Sequence, residues 1–494
     1  MKNYVGLSCG FHDSAVSVID SSGNILFASH SERYSKIKHD LALCNDILID
    51  AKNYLNSDFQ LHYYERPFLK YLRQLIAGQD PELSNINVKN IIGQNHLSVL
   101  NSKKVHTHNH HLSHAAAGFQ TSPFNDAIVV IIDAIGEFDT ISIWHAEYKN
   151  GDAIYKNLWS HKYPHSIGLF YSAMTDRLGL RPLDEEYILM GMAGWGTPTC
   201  YEDLKSFSID DKDKLIFKNN FHMGIDHSLF QDKNDYDIAS STQKLTEELI
   251  EVVMKKARSY EKSDNLVYMG GVALNCLANR NLGKFFNNIW IMPNPGDAGS
   301  SLGAAALGYK KKINWKDAYL GHDILGPYPV KPLAEHLITH KIAGVASGRA
   351  EFGPRALGNR SLLADPRGQE IKDRVNEIKR RQKFRPFAPV ILEEHAEKYF
   401  EMPRGWADSR YMQIVAKCNF PEQFPAIIHV DGTSRVQTVP KDNSGIRQLL
   451  DYWYAKTGCP LLLNTSLNIR GEPMVNDRKD ADRFENLYNV KVFS

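Results

Sequence analysis

Cysteine is scarce in this 494-residue chain and never clustered: Cys9, Cys44, Cys200, Cys276, Cys418 and Cys459 are scattered, with no CxxC pair. That excludes a disulfide scaffold and reads as free thiols. Neither charge is in surplus, with Lys+Arg 58 against Asp+Glu 57. There is thus no global basic field of the kind that holds non-specific nucleic-acid binders on phosphate, and any phosphate recognition has to be local. No run of about 18 apolar residues occurs, and the opening MKNYVGLSCGFHDS has neither a long apolar core nor a small-residue cleavage site. No membrane span or secretory leader is expected, and the cytoplasm is the expected location. No period of about 20 to 50 residues recurs, which argues against a solenoid.

What is present is the composition of a well-packed folded protein, 43% hydrophobic and 23% charged. At roughly 100 to 200 residues per domain the length allows two to four units, with two as the default. The runs YVGLSCG, SAVSVID and ILFASH, separated by the loop CGFHDS and the turn SSGN, predict an antiparallel hairpin or meander. Further strand-like runs (AIVVIIDA, TISIWHAEY, NLVYMGGVAL, NIWIMP) alternate with helical patterns at SIGLFYSAMTDRLGL, QKLTEELIEVVMKKARSY and GSSLGAAALGYKKK. That order predicts α/β architecture. The pattern loosens over 313–341, where a domain connection is expected, and a second block opens with the strand-like KIAGVAS.

NHHLSHAAAGFQ puts three histidines into six residues. His110 and His114 are four apart, a spacing that places both on one helix face and lets them hold one metal; two solvent-facing histidines are the plainer alternative. AIVVIIDAIGE is an apolar strand ending in Asp133, and strand ends are where α/β folds present carboxylates. MPNPGDAGSSLGAA sets Asp297 before a small-residue helix, as a further ligand or simply an N-cap. Two imidazoles with two carboxylates suit Fe²⁺, Mn²⁺ or Zn²⁺. The paired glycines of MGGVALNC, Gly270 and Gly271, let a backbone approach a ligand closely. The loop GFHDS offers His12, Asp13 and Ser14 between two strands.

In the second block, SGRAEFGPRALGNRSLLADPR gathers Arg349, Arg355, Arg360 and Arg367 among glycines, and IKRRQKFRPFAP adds Lys379, Arg381 and Arg385. Guanidinium forks beside glycine suit bidentate anion binding; a solvated basic face is the alternative. His429 and Arg435 lie near one strand, and Asn464, Ser466 and Asn468 follow another, where amide and hydroxyl groups can orient a small planar substrate.

The ordered segments HDSA, SERYSKIKHD, HHLSHAA, DAIGE, SIGLFYSAMT, EYILMGMAGWG, GGVALN, NPGDAGSSLGAA and GRAEFGPRALGNRS resemble the O-carbamoyltransferases that act on nodulation factors and on antibiotics such as tobramycin and cephamycin. The resemblance implies an actin/sugar-kinase-like (ASKHA) domain over 1–330, related to the tRNA threonylcarbamoyl transferases, and a YrdC-like α/β domain over 331–494. It implies a metal, commonly iron, on His110, His114, Asp133 and Asp297, with Mg²⁺ as an additional ion. ATP and carbamoyl phosphate are the implied co-substrates. His12 is implied in transfer to the acceptor hydroxyl, with Lys379, Arg385 and Ser466 in forming carbamoyl-adenylate. Gly270, Gly271, Asn275, Glu137, Arg355, His429, Arg435 and Asn464 are expected to bind the co-substrates. Two positions depart from the family pattern: Ala134 stands where Gly is usual, and Ile188 replaces a Lys.

The expected activity is therefore ATP-dependent carbamoylation of a hydroxyl, on a sugar- or antibiotic-type small molecule or on 5-hydroxymethylcytosine in DNA. For DNA, Lys310 to Lys312 and Lys379 to Arg381 are the local phosphate contacts to consider. An ASKHA-type kinase and a tRNA threonylcarbamoyl transferase-like enzyme are the rivals; the second should lack the arginine block. No membrane partner is expected, and the oligomeric state is left open.

Overall fold

The alternating runs at the N-terminus form the strands Asn3–Ser8, Ala15–Asp20 and Ile25–His30, each antiparallel to the next. In this computed structural model, residues 2–102, 104–211 and 214–494 are described. The chain divides into two compact units, one of residues up to Ser35, His39–Leu274 and Leu282–Asp317, the other of Lys36–Lys38, Asn275–Asn281 and Ala318–Ser494.

The first unit contains two five-stranded sheets of the same topology. In one, Asn3–Ser8 is central, with the meander Ala15–Asp20 and Ile25–His30 on one side and the parallel strands Phe59–Tyr63 and Val105–Thr107 on the other. In the other, Asp126–Gly136 is central, with the meander Asp139–Lys149 and Asp152–Lys162 on one side and parallel Asn265–Met269 and Asn288–Trp290 on the other. The central strands are almost wholly buried, as strands covered on both faces should be.

The helices His110–Thr121 and Ser300–Tyr309 meet through missing side chains. A Cβ on Gly303 would lie 1.8 Å from the Ser113 carbonyl oxygen, and one on Gly6 would lie 1.8 Å from that of Ser301. The small-residue run GSSLGAAALG thus lets a helix backbone lie directly on a strand and on the histidine helix.

A histidine cluster also belongs to this unit. His62, on Phe59–Tyr63, is buried, stacks on His106 and His108, and has Nδ1 2.9 Å from His108 Nε2. Burial first, then the nearby His108 and His106, pushes its pKa down to about 3. Between that value and the unfolded value near 6.5, the unfolded chain binds more protons than the native state. Stability is therefore full above pH 6.5 and lost as pH falls, by about 1.4 kcal/mol per unit from this residue. In urea titrations at pH 7 and pH 5, His62→Gln should lose less stability on acidification than the parent chain.

The second unit is built on a six-stranded mixed sheet in the order Gln437–Val439, Ala388–Leu392, Leu461–Ser466, Arg360–Ala364, Ile342–Ala346 and Val492–Phe493. Its core includes Leu333, Val345, Leu362, Ile391, Leu449 and the fully buried Trp453. The loosely patterned 313–341 segment contains a strand, Tyr319–Ile324, and a helix, Val330–His340, which buries Leu333, Ala334 and Leu337 at helical spacing. Among the described residues, no helix is long and apolar enough to cross a membrane.

Candidate active site

Asn109 caps the histidine helix by accepting the Leu112 amide at 2.8 Å, which starts the helix at His110 and fixes the two histidines one turn apart. Their Nε2 atoms lie 3.1 Å from each other. Asp133 does not end its strand. It sits in the irregular stretch between Ile132 and Gly136, where pairing with the neighbouring strand slips, and the bulge turns its carboxylate toward the histidines. Asp133 Oδ2 is 3.2 Å from His110 Nε2 and 3.7 Å from His114 Nε2. Asp297 opens a short turn before the small-residue helix, but its side chain makes no cap bond. Its Oδ1 instead lies 3.3 Å from His110 Nε2 and 3.2 Å from His114 Nε2.

These four buried side chains offer one ligand atom each, all within 4.8 Å of one another. His114 Nδ1 donates to the Pro295 carbonyl at 3.1 Å, which leaves the Nε2 lone pair of the neutral ring facing the cluster. His110 Nδ1 has no hydrogen-bond partner, the Glu65 carboxylate being 3.7 Å away. The two imidazole nitrogens lie 3.1 to 3.7 Å from each other and from the two carboxylate oxygens, the spacing of neighbours around one cation with bonds of about 2.0–2.2 Å, so the residues fit a metal. Burial opposes charge on both aspartates, yet the facing histidines hold both carboxyl groups well below the usual range. Burial likewise opposes charge on His110, and Asp297 and Asp133 overcome it.

Supporting residues surround the quartet, and of these sequence reasoning missed Glu65 and Lys70. Glu65, buried and paired with Lys70 at 2.7 Å, stands behind His110. Gly271 donates its amide to Asp133 Oδ1 at 3.2 Å, and Gly270 donates to the Pro295 carbonyl at 2.9 Å. Gly270 has φ +92°, and a Cβ there would lie 2.2 Å from the Ile132 carbonyl oxygen. Gly270→Ala should therefore destabilise the chain by more than about 2 kcal/mol and weaken metal uptake through Asp133; urea midpoints and metal content measure the two effects.

His12 occupies the loop after the first strand, its side chain 22% exposed, with Nε2 3.9 Å from Asp297 Oδ2. Its Nδ1 donates to Asp13 Oδ2 at 2.9 Å. Burial disfavours its charge, but Asp13, then Asp297 and Asp133, raise the pKa to about 9. Glu137, expected near a nucleotide, is buried and engaged by the Arg66 amide and guanidinium at 2.7 Å and by Asn109 at 3.1 Å. It pins the hairpin tip to the start of the histidine helix. Of Lys310 to Lys312, offered for phosphate, Lys312 donates to the Pro123 and Phe124 carbonyls and to Asn125.

In the second unit the structure brings Lys379 and Ser466 together. The buried Lys379 ammonium donates to the Ser466 carbonyl at 2.6 Å, Ser466 Oγ at 3.0 Å and Asn468 Oδ1 at 2.7 Å. Burial, then Arg381 and Arg385, holds its pKa well below that of an ordinary lysine. Asn464, on the same strand as Ser466, donates to Gln437 at 2.7 Å and to the Ala356 carbonyl at 3.0 Å. Arg435 Nε is buried with no hydrogen-bond partner, His429 pairs with Asp431 at 3.3 Å, Arg355 is half-buried in the loop after Gly348–Glu351, and Asn275 caps the short helix Cys276–Asn279.

The arginine block needs a correction. Arg360 is fully buried and donates to the carbonyls of Asn476, Ser347, Asn359 and His322. Arg349 donates to those of Leu320 and Gly321, and Arg367 pairs with Asp365 at 2.8 Å. Arg360 serves the fold, because a buried guanidinium demands such partners, and Arg349 and Arg367 are engaged by carbonyls and by a carboxylate of their own unit.

Residues 45–306 match the description carbamoyltransferase N-terminus, and residues 334–493 match carbamoyltransferase C-terminus. Among similar curated proteins, an uncharacterized protein of Synechocystis is 33% identical, the match covering 98% of this chain and 94% of that one. Nodulation protein NolNO of Sinorhizobium fredii is 29% identical over 97% of this chain and 78% of its own length, and nodulation protein NolO of Bradyrhizobium diazoefficiens is 32% identical over 76% and 75%. With both halves matched in order, the chain belongs to the carbamoyltransferase family.

Proposed function

We propose that this carbamoyltransferase is ATP-dependent and transfers the carbamoyl group of carbamoyl phosphate, through carbamoyl-adenylate, to an acceptor hydroxyl. The observation that carries the reading is the buried His110, His114, Asp133 and Asp297 quartet with His12 beside it, in a chain matched at both ends by carbamoyltransferase domains. Carbamoyl phosphate and water give carbamate and phosphate. Carbamate attacks ATP, forming carbamoyl-adenylate and releasing pyrophosphate. The acceptor oxygen then attacks the carbamoyl carbon, AMP leaves, and the hydroxyl proton is lost.

The identical topology of the two sheets in the first unit supports an actin/sugar-kinase-like fold there; the YrdC-like reading of the second rests on the resemblance of its motifs. We place adenylate formation at Lys379, Arg385 and Ser466, with Arg355, His429, Arg435 and Asn464 holding the co-substrates. A poorly solvated ammonium among amide and hydroxyl groups suits stabilising charge as the phosphates depart. The quartet is assigned to Fe²⁺, with Mn²⁺ or Zn²⁺ as substitutes, and a bound cation there supplies Lewis-acid charge for the adenylate phosphate. His12 presents Nε2 beside Asp297. The charge favoured on it by Asp13, Asp297 and Asp133 suits orienting a hydroxyl; neutralising those carboxylates suits taking its proton.

The acceptor is assigned to a sugar- or antibiotic-type small molecule. The alternative, hydroxymethylated DNA, is weakened by the commitment of Lys312 to backbone carbonyls. Mass spectrometry of the chain with carbamoyl phosphate, ATP and Fe²⁺, offered aminoglycosides, sugars and 5-hydroxymethylcytosine DNA, tests this. One added carbamoyl group on a small molecule is expected; a phosphorylated product would replace the reading with the kinase.

A further inference from the structure

Beyond the quartet, one chain of polar side chains joins three separate loops of the first unit. Asp13 follows the first strand, His39 lies beyond the third, and Asp184 precedes the helix Glu186–Met192. Each oxygen of the Asp13 carboxylate takes one imidazole: Oδ2 accepts from His12 Nδ1 at 2.9 Å and Oδ1 from His39 Nδ1 at 2.7 Å. On its far side, His39 Nε2 donates to Asp184 Oδ1 at 2.9 Å, and Arg181 pairs with the other Asp184 oxygen at 2.7 Å. The His39 amide is held by Glu32 at 3.0 Å.

Asp13, Glu32 and His39 have the composition of a second cation site. The bonding points elsewhere. With a carboxylate on each ring nitrogen, both nitrogens of His39 donate, and no lone pair is left for a metal. What the arrangement does fix is the direction of Asp13. Asp13 and His39 both hold positive φ, +55° and +53°, as does Leu183 beside Asp184 at +63°. Such backbone persists for residues other than glycine where surrounding bonds over-determine it, and it concentrates at working sites.

We propose that His39, anchored by Asp184, is a positioning residue for carbamoyl transfer: through Asp13 it sets the ring of His12 against the acceptor hydroxyl. The inference rests on the reading of His12 as the residue that meets that hydroxyl. A ring held from one nitrogen only swings about χ1 and χ2; a carboxylate bonded on both oxygens keeps it in one orientation.

The test uses the full chain labelled with [15N]histidine, the His12 signals being assigned by their loss in His12→Asn. In the parent chain the Nδ1 proton donated to Asp13 should give a slowly exchanging resonance. His39→Phe should abolish it, His39→Gln, which keeps one amide donor, should retain it in part, and Asp184→Asn should weaken it. Carbamoyl-phosphate-dependent ATP–pyrophosphate exchange, which uses no acceptor hydroxyl, should stay within about twofold. Transfer kcat should fall about tenfold to a hundredfold with acceptor KM little changed. An unaltered His12 resonance in His39→Phe overturns the proposal, as does loss of exchange together with the resonance. If His39→Phe does not fold, Asp184→Asn decides by the same resonance. Absence of exchange in the parent chain defeats the carbamoyl-adenylate reading, while the resonance still decides the placement of His12.

Discussion

Replacing His114 by Ala should empty the metal site and lower carbamoyl transfer by more than about a thousandfold, roughly 4 kcal/mol of lost transition-state stabilisation. His114 is the best-prepared ligand of the four. It is completely buried, its Nδ1 is tied to Pro295, and its Nε2 is in reach of His110, Asp133 and Asp297. Removal leaves one imidazole against two buried carboxylates, and burial then opposes charge on both aspartates with one histidine partner fewer. Metal content by elemental analysis should fall from one ion per chain toward none, while circular dichroism stays that of the parent. A variant that keeps its metal and its rate places the ion elsewhere.

Lys379→Met should abolish carbamoyl-phosphate-dependent ATP–pyrophosphate exchange, by about a hundredfold to a thousandfold, and leave the metal content unchanged. The lysine pKa lies well below its ordinary value because burial opposes the ammonium, reinforced by Arg381 and Arg385. The unfolded chain therefore binds the proton more readily, and stability contributed here is lost as pH falls below the unfolded lysine value near 10.5. At neutral pH Lys379 is thus a cost to folding that the hydrogen bonds to Ser466 and Asn468 offset in part. The Met variant should unfold no earlier than the parent despite its inactivity, which identifies a residue retained for chemistry. Lys379→Arg should not restore exchange, since a planar fork does not fit three acceptors that converge on one ammonium.

The pattern of the sequence carried some of this directly. Alternation predicted antiparallel strands at the N-terminus, as a hairpin or a meander, and the structure has the meander; the i, i+4 spacing of His110 and His114 put both on one helix face, as the structure has them. Other features depend on contacts that no local pattern records. The twin sheet topology leaves no short sequence period, because its halves begin at Asn3 and Asp126 with different intervening helices. Asp133 reads as a strand end, yet the strand runs to Gly136 through a bulge that aims the carboxylate. Arg349, Arg360 and Arg367 look like anion ligands among glycines, but only the folded chain reveals their carbonyl and carboxylate partners. Glu65, His39 and Asp184 lie in three unrelated segments, and only folding brings them near His110 and His12.

The most direct test of the central claim is the nucleotide product. The chain is incubated with α-labelled ATP, Fe²⁺ and an acceptor, with and without carbamoyl phosphate, and AMP, ADP and pyrophosphate are separated. AMP and pyrophosphate in equal amounts, formed only when carbamoyl phosphate is present, are the expected result. ADP formed in its absence, or carbamoyl transfer without any turnover of ATP, contradicts transfer through carbamoyl-adenylate.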